Sequence, residues 1–117
     1  MDRETIVEVI TSLPGVVLDY PFGEEVAVYK LGSEKGKMFA LIQEGSKPVR
    51  LSLKCDPTLA ELLREKYETV LPGYHLNKKH WNTIICSGQV PEDELRDLIR
   101  HSYELRSEEH TSELQSH

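Results

Sequence analysis

This chain of 117 residues lacks a cationic excess, a set of cysteines and any long apolar run. Lys plus Arg number 14 against 20 Asp plus Glu, a formal net charge of −6, which excludes a histone-like polycation and leaves room only for a local basic patch. Its two cysteines, Cys55 and Cys86, are too few for a disulfide scaffold. No apolar stretch approaches the ~20 residues that cross a bilayer, and the acidic start Met1-Asp2-Arg3-Glu4 is unlike a secretory leader. The expected setting is the cytoplasm, with no membrane association. G-x-x-x-x-G-K-[ST], G-x-G-x-x-G and C-x-x-C are also absent, so no phosphate cradle and no recognised zinc spacing is encoded.

What is present suits one domain with a modest core: 38% of the residues are hydrophobic and 29% charged. Asp2 is placed to cap a helix whose apolar positions Ile6, Val9, Ile10 and Leu13 recur at helical spacing, and Pro14-Gly15 stops it. Strand-like runs follow at Val16 to Tyr20, Val26 to Leu31, Met38 to Gln43 and Pro48 to Lys54. The glycine-bearing loops between the last three have hairpin length, so an antiparallel meander is expected. In the fourth run Val49, Leu51 and Leu53 alternate with Arg50, Ser52 and Lys54, which predicts one buried face and one wet face carrying a cationic row with Arg50, Lys54 and Lys30.

Asp56-Pro57 marks a helix start, a capping carboxylate followed by proline at the first helical position, with Leu59, Leu62 and Leu63 facing inward. Tyr67 to Leu71 and Asn82 to Cys86 read as two further strands. Pro91 opens a last helix with Glu92, Asp93 and Glu94 in its first turn and Leu95, Leu98, Ile99 and Tyr103 inward. The expected fold class is α+β: an antiparallel sheet of about five or six strands with three main helices packed on one face, in one domain over residues 1–105. Residues 106–117 hold a single apolar side chain, Leu114, and are expected to form a disordered tail. That segment matches the conceptual translation of a widely used sequencing adapter, so it is set apart from the domain.

Pro72 to Trp81 fits no simple period. It concentrates His75, Asn77, Lys78, Lys79, His80 and the only tryptophan between two strands, and loops on a rigid scaffold are where binding residues gather. Lys78 and Lys79 can neutralise phosphates, and Asn77, His75 and His80 can hydrogen-bond to sugars, bases or anions. Each has a structural alternative: Asn77 as a turn cap, the lysines as solvated surface, and Trp81 as a core anchor in place of a stacking platform.

Pro72-Gly73-Tyr74-His75-Leu76-Asn77-Lys78-Lys79-His80-Trp81-Asn82-Thr83, with Leu53-Lys54-Cys55-Asp56-Pro57 upstream and Ser102-Tyr103 downstream, resembles the MmcQ/YjbR family of small bacterial proteins. The resemblance implies a CyaY-like α+β fold, and members are commonly named DNA-binding proteins.

Catalytic alternatives are less well supported. Cys55 at a helix start with His75 or His80 as base has no linking signature, and Cys55, Cys86, His75 and His80 lack metal-ligand spacing. The expectation is a non-enzymatic, monomeric DNA-binding module with neither metal nor cofactor and with low sequence specificity. Its contact surface would comprise Arg50, Lys54, His75, Asn77, Lys78, Lys79 and His80. The alternative is a protein-interaction or small anionic ligand-binding module using the same loop.

Overall fold

The structure, a computed structural model, describes residues 1–73 and 75–115, with side chains described as far as residue 108. Helix α1 (Arg3–Thr11) begins where the Asp2 carboxylate accepts the Thr5 N–H at 2.9 Å. Strands β1 (Val16–Asp19), β2 (Val26–Leu31), β3 (Met38–Gln43) and β4 (Arg50–Lys54) follow as an antiparallel meander. Helix α2 (Pro57–Lys66) is capped by Asp56, whose carboxylate accepts from Thr58 and Leu59. Strands β5 (Val70–Pro72) and β6 (Trp81–Ile85) and helix α3 (Glu92–Gln115) complete the order. The sheet runs β1-β2-β3-β4-β6-β5, so β6 inserts beside β4 and leaves the short β5 at the edge.

One face of the sheet carries the main core. Ile6 and Ile10 of α1, Ala60 and Leu63 of α2, and Leu95, Leu98 and Ile99 of α3 pack on Tyr29, Ala40, Ile42, Leu51, Leu53 and Ile84. The alternation in β4 is realised as expected: Leu51 and Leu53 are buried under the helices and Arg50 is exposed.

The opposite face departs from the wet surface that β4 suggested. Val28, Leu41 and Trp81 form a second buried cluster there, with Val26, Met38 and Leu76 packed against it. The reason lies in the neighbouring strands. Val26-Ala-Val-Tyr in β2 and Met38-Phe-Ala-Leu-Ile in β3 are apolar at successive positions, a pattern that buries both faces of a strand. The loop before β6 lays Leu76 over this second cluster. Lys30, placed in the expected cationic row, pairs instead with Asp19 at 3.1 Å.

Helix α3 also runs past the expected boundary at residue 106. Arg106 donates Nε to the Met38 carbonyl at 2.8 Å, which fixes the helix to the start of β3. Of residues 109–115 only helical backbone is described, and the end of the expected tail, residues 116 and 117, lies outside the described residues.

Candidate nucleic-acid interface

The seven expected site residues separate into two groups at opposite ends of β4. The division follows from one backbone conformation: His75 has φ +59°, in the left-handed region that histidine tolerates better than most residues. The turn there drops Leu76 onto the open sheet face and sends the following residues toward the start of β6. Gly73 lets the loop close against that strand. Its N–H donates to the Trp81 carbonyl at 2.8 Å, and a Cβ at this position would lie 2.7 Å from the Trp81 Cβ.

The first group surrounds Trp81. Asn77 organises the turn: its side-chain oxygen accepts the Lys79 N–H at 2.9 Å, and its carbonyl accepts from His80 and Trp81 at 3.2 and 3.0 Å. Asn77 is thus a turn cap. The half-buried His80 presents its carbonyl to the Cys55 N–H at 2.7 Å, tying the turn to the end of β4. Lys78 and Lys79 are both exposed, and the Lys78 ammonium donates to the Gly73 carbonyl at 3.3 Å. Lys54 lies directly across the ladder from Trp81.

Two arginines that sequence reasoning left out join them. Arg64 of α2 donates Nε to Asn82 Oδ1 at 2.7 Å and Nη2 to the Trp81 carbonyl at 3.1 Å, and it also donates to the Lys78 carbonyl. The Arg106 guanidinium carbon sits 5.6 Å from the centre of the Trp81 ring. Among the described residues, Arg64, Lys78 and Lys79 form no ion pair with a carboxylate. Trp81 itself is 4% exposed, so it is a core anchor around which cations are arranged, with no face open for base stacking.

The second group, Arg50 and His75, lines a cavity of about 590 Å³ on the open face. Val26, Leu41, Leu76 and Phe22 supply its apolar lining, and Glu25, Gln43, Ser52 and Thr83 its polar groups. Arg50 is therefore not part of the lysine group, as the single-surface expectation required. Lys54 lies four residue steps further along the strand, roughly 13 Å at ~3.3 Å per step.

The thiols are poorly suited to nucleophilic or metal chemistry. Burial pushes both Cys55 and Cys86 up to about 11, so each is neutral near pH 7. For Cys55, the Asp56 carboxylate acts in the same direction. Among the described residues no group of three or more His, Cys, Asp or Glu side chains is placed to hold a metal ion, and no helix is long and apolar enough to cross a membrane.

Comparison with known proteins adds a family. The model of the family described as YjbR matches residues 11–105. The chain is 40% identical over 103 residues to the uncharacterized protein YbdF of Escherichia coli, a span of 88% of this chain and 82% of that one. It is 40% identical over 67 residues to the uncharacterized protein YjbR of Escherichia coli, 57% of each. Among solved structures, the Deinococcus radiodurans protein DR2400, a DUF419 domain, superposes with a TM-score of 0.85 at 42% identity, covering 89% of this chain and 77% of that one. A Pseudomonas syringae protein superposes with a TM-score of 0.77 at 28% identity, covering 91% and 99%.

Proposed function

The chain belongs to the YjbR family, and we propose that it is a non-enzymatic module that binds duplex DNA with low sequence specificity through the cations around Trp81. One observation carries this reading: an acidic chain of net charge −6 gathers Arg64, Lys78 and Lys79 at one corner without a carboxylate partner among the described residues, with Lys54 alongside. Such a corner supplies phosphate contacts by point charge and little to read a base edge. The exposed amide there, Asn77, uses its oxygen within the turn, and the buried Asn82 accepts from Arg64. Low specificity follows from that arrangement, and the neutral thiols fit a role without covalent chemistry.

Fluorescence anisotropy of a labelled short duplex, titrated at several salt concentrations, tests the proposal. Two or three phosphate contacts give a slope of log affinity against log salt of about −2 to −3. No binding at low salt, or binding indifferent to salt, overturns it. A second reading, a small-ligand site, has one observation in its favour: the cavity that His75 and Leu76 help to wall. A flat DNA titration would leave that reading alone.

A further inference from the structure

We propose that the cavity on the open sheet face binds a small zwitterion with an apolar body, of the size and charge pattern of an apolar dipeptide with free termini. The inference narrows the small-ligand reading and does not depend on DNA binding.

Its chemistry follows from one row across three strands. Arg50 of β4 pairs in register with Gln43 of β3, and Gln43 pairs with Val26 of β2, immediately after Glu25. Arg50 therefore stands at one end of a row that spans two strand spacings, roughly 10 Å between backbones, and Glu25 is the residue just before Val26 at the other end. Both line the cavity and both are exposed, yet among the described residues neither forms an ion pair, with the other or with a third group. The carboxylate next along the chain from Gln43, Glu44, is taken up by a two-point pairing with Arg3 at 2.7 and 2.9 Å and by the Tyr20 hydroxyl at 3.2 Å. A cation and an anion are thus held apart across one mouth, with the Gln43 amide between them.

The cavity behind that row is apolar. Val26 and Leu41 form its floor and Leu76 one wall, while Ser52 and Thr83 share a hydroxyl hydrogen bond at 2.8 Å. Phe22 lines the same cavity and is 63% exposed, the most exposed of the large hydrophobic side chains among the described residues. An apolar ligand body would cover it. The volume of about 590 Å³ lies within the range of small-molecule sites, ~300–1,000 Å³. A ligand carboxylate meets the Arg50 guanidinium, which can grip it with two parallel N–H donors, and a ligand ammonium meets Glu25. A purely anionic ligand would leave Glu25 facing like charge, and a polyanion would not enter the apolar floor.

The test uses three probes that share one body: leucyl-leucine with free termini, its N-acetyl form and its C-terminal amide. Each is titrated into the ¹⁵N-labelled full chain and followed by amide chemical shifts. Free leucyl-leucine is expected to shift the amides of Leu41, Gln43, Ser52 and Thr83, and either blocked form to bind about tenfold more weakly, the loss expected for one charged hydrogen bond. Glu25→Gln should abolish the preference over the N-acetyl form, Arg50→Gln the preference over the amide, and Phe22→Ala should weaken all three probes. Lys78→Ala/Lys79→Ala should leave all three unchanged. Equal binding of the N-acetyl form overturns the zwitterion while leaving the small-ligand reading in place. Failure of every probe to shift these amides overturns both.

Discussion

Arg106 clamps the C-terminal half of α3 through Trp81: its guanidinium carbon lies 5.6 Å from the ring centre while its Nε donates to the Met38 carbonyl at 2.8 Å. One side chain therefore joins α3, β3 and β6. A stacked cation and one hydrogen bond together stabilise by about 1–2 kcal/mol. Arg106→Ala should lose about that much in denaturant unfolding. A chain ending at residue 105 should lose a similar amount relative to one ending at 108. Equal stability of these proteins would show that the clamp contributes nothing.

Ser102 makes the deeper junction. Fully buried, its hydroxyl donates to the Phe39 carbonyl at 2.6 Å and accepts the Lys54 N–H at 3.0 Å, so one atom serves two strands from the helix. Ser102→Ala leaves a buried carbonyl and a part-buried N–H without that partner, a cost of about 1–3 kcal/mol. Thermal or urea unfolding measures it, and a change below about 0.5 kcal/mol, the scale of an ordinary surface substitution, would contradict the assignment.

Gly73 is required by proximity. Because a Cβ there would fall 2.7 Å from the Trp81 Cβ, Gly73→Ala must push the loop off β6. The expected cost is about 1–3 kcal/mol, as for an overpacked core. Displacement should also appear as amide shifts at Trp81 and Leu76. A variant with wild-type stability and spectrum would contradict the close approach.

The thiols set a pH dependence with a definite sign. Burial raises Cys55 and Cys86 from the ordinary 9.0 to about 11, so between pH 9 and 11 the unfolded chain loses thiol protons that the folded chain keeps. Fewer protons on the unfolded state mean that stability falls as pH rises through that window. Cys86→Ala should make the fall shallower. Rapid modification of Cys55 by an aromatic disulfide near pH 7 in the folded protein would contradict its neutral, buried state.

Much of this architecture was legible because local signals agreed with one another. Asp56-Pro57 starts α2 where a capping carboxylate and a proline together demand it, and the Val49-Leu51-Leu53 alternation correctly named the helix-covered side of β4. Boundaries moved by a residue or more where an end residue is engaged by the neighbouring element. Tyr67, read as strand, caps α2 instead, and its strand begins at Val70. The open face was misjudged from β4 alone, since the apolar runs of β2 and β3 cover it with Val28 and Leu41.

The site was less legible, for physical reasons. Spacing places His75 and Lys78 three residues apart, but the left-handed φ at His75 turns the two toward different surfaces, and no residue type there announces that turn as glycine would. Arg64 reads as an outward position of an amphipathic helix, and only the fold brings it to the Trp81 carbonyl. Arg106 begins the stretch set apart as a tail. Glu25 gains interest only because it precedes Val26, which register places two strands from Arg50.

The most direct test of the central claim compares duplex DNA affinity across a salt series for the native chain, for Lys78→Ala/Lys79→Ala and for Arg50→Ala. The corner variant should bind more weakly and lose about 1.8 units of salt slope, ~0.9 for each phosphate released, while Arg50→Ala keeps the native slope. Identical slopes for the native chain and the corner variant, or an equal loss from Arg50→Ala, would contradict the placement of DNA at the cations around Trp81.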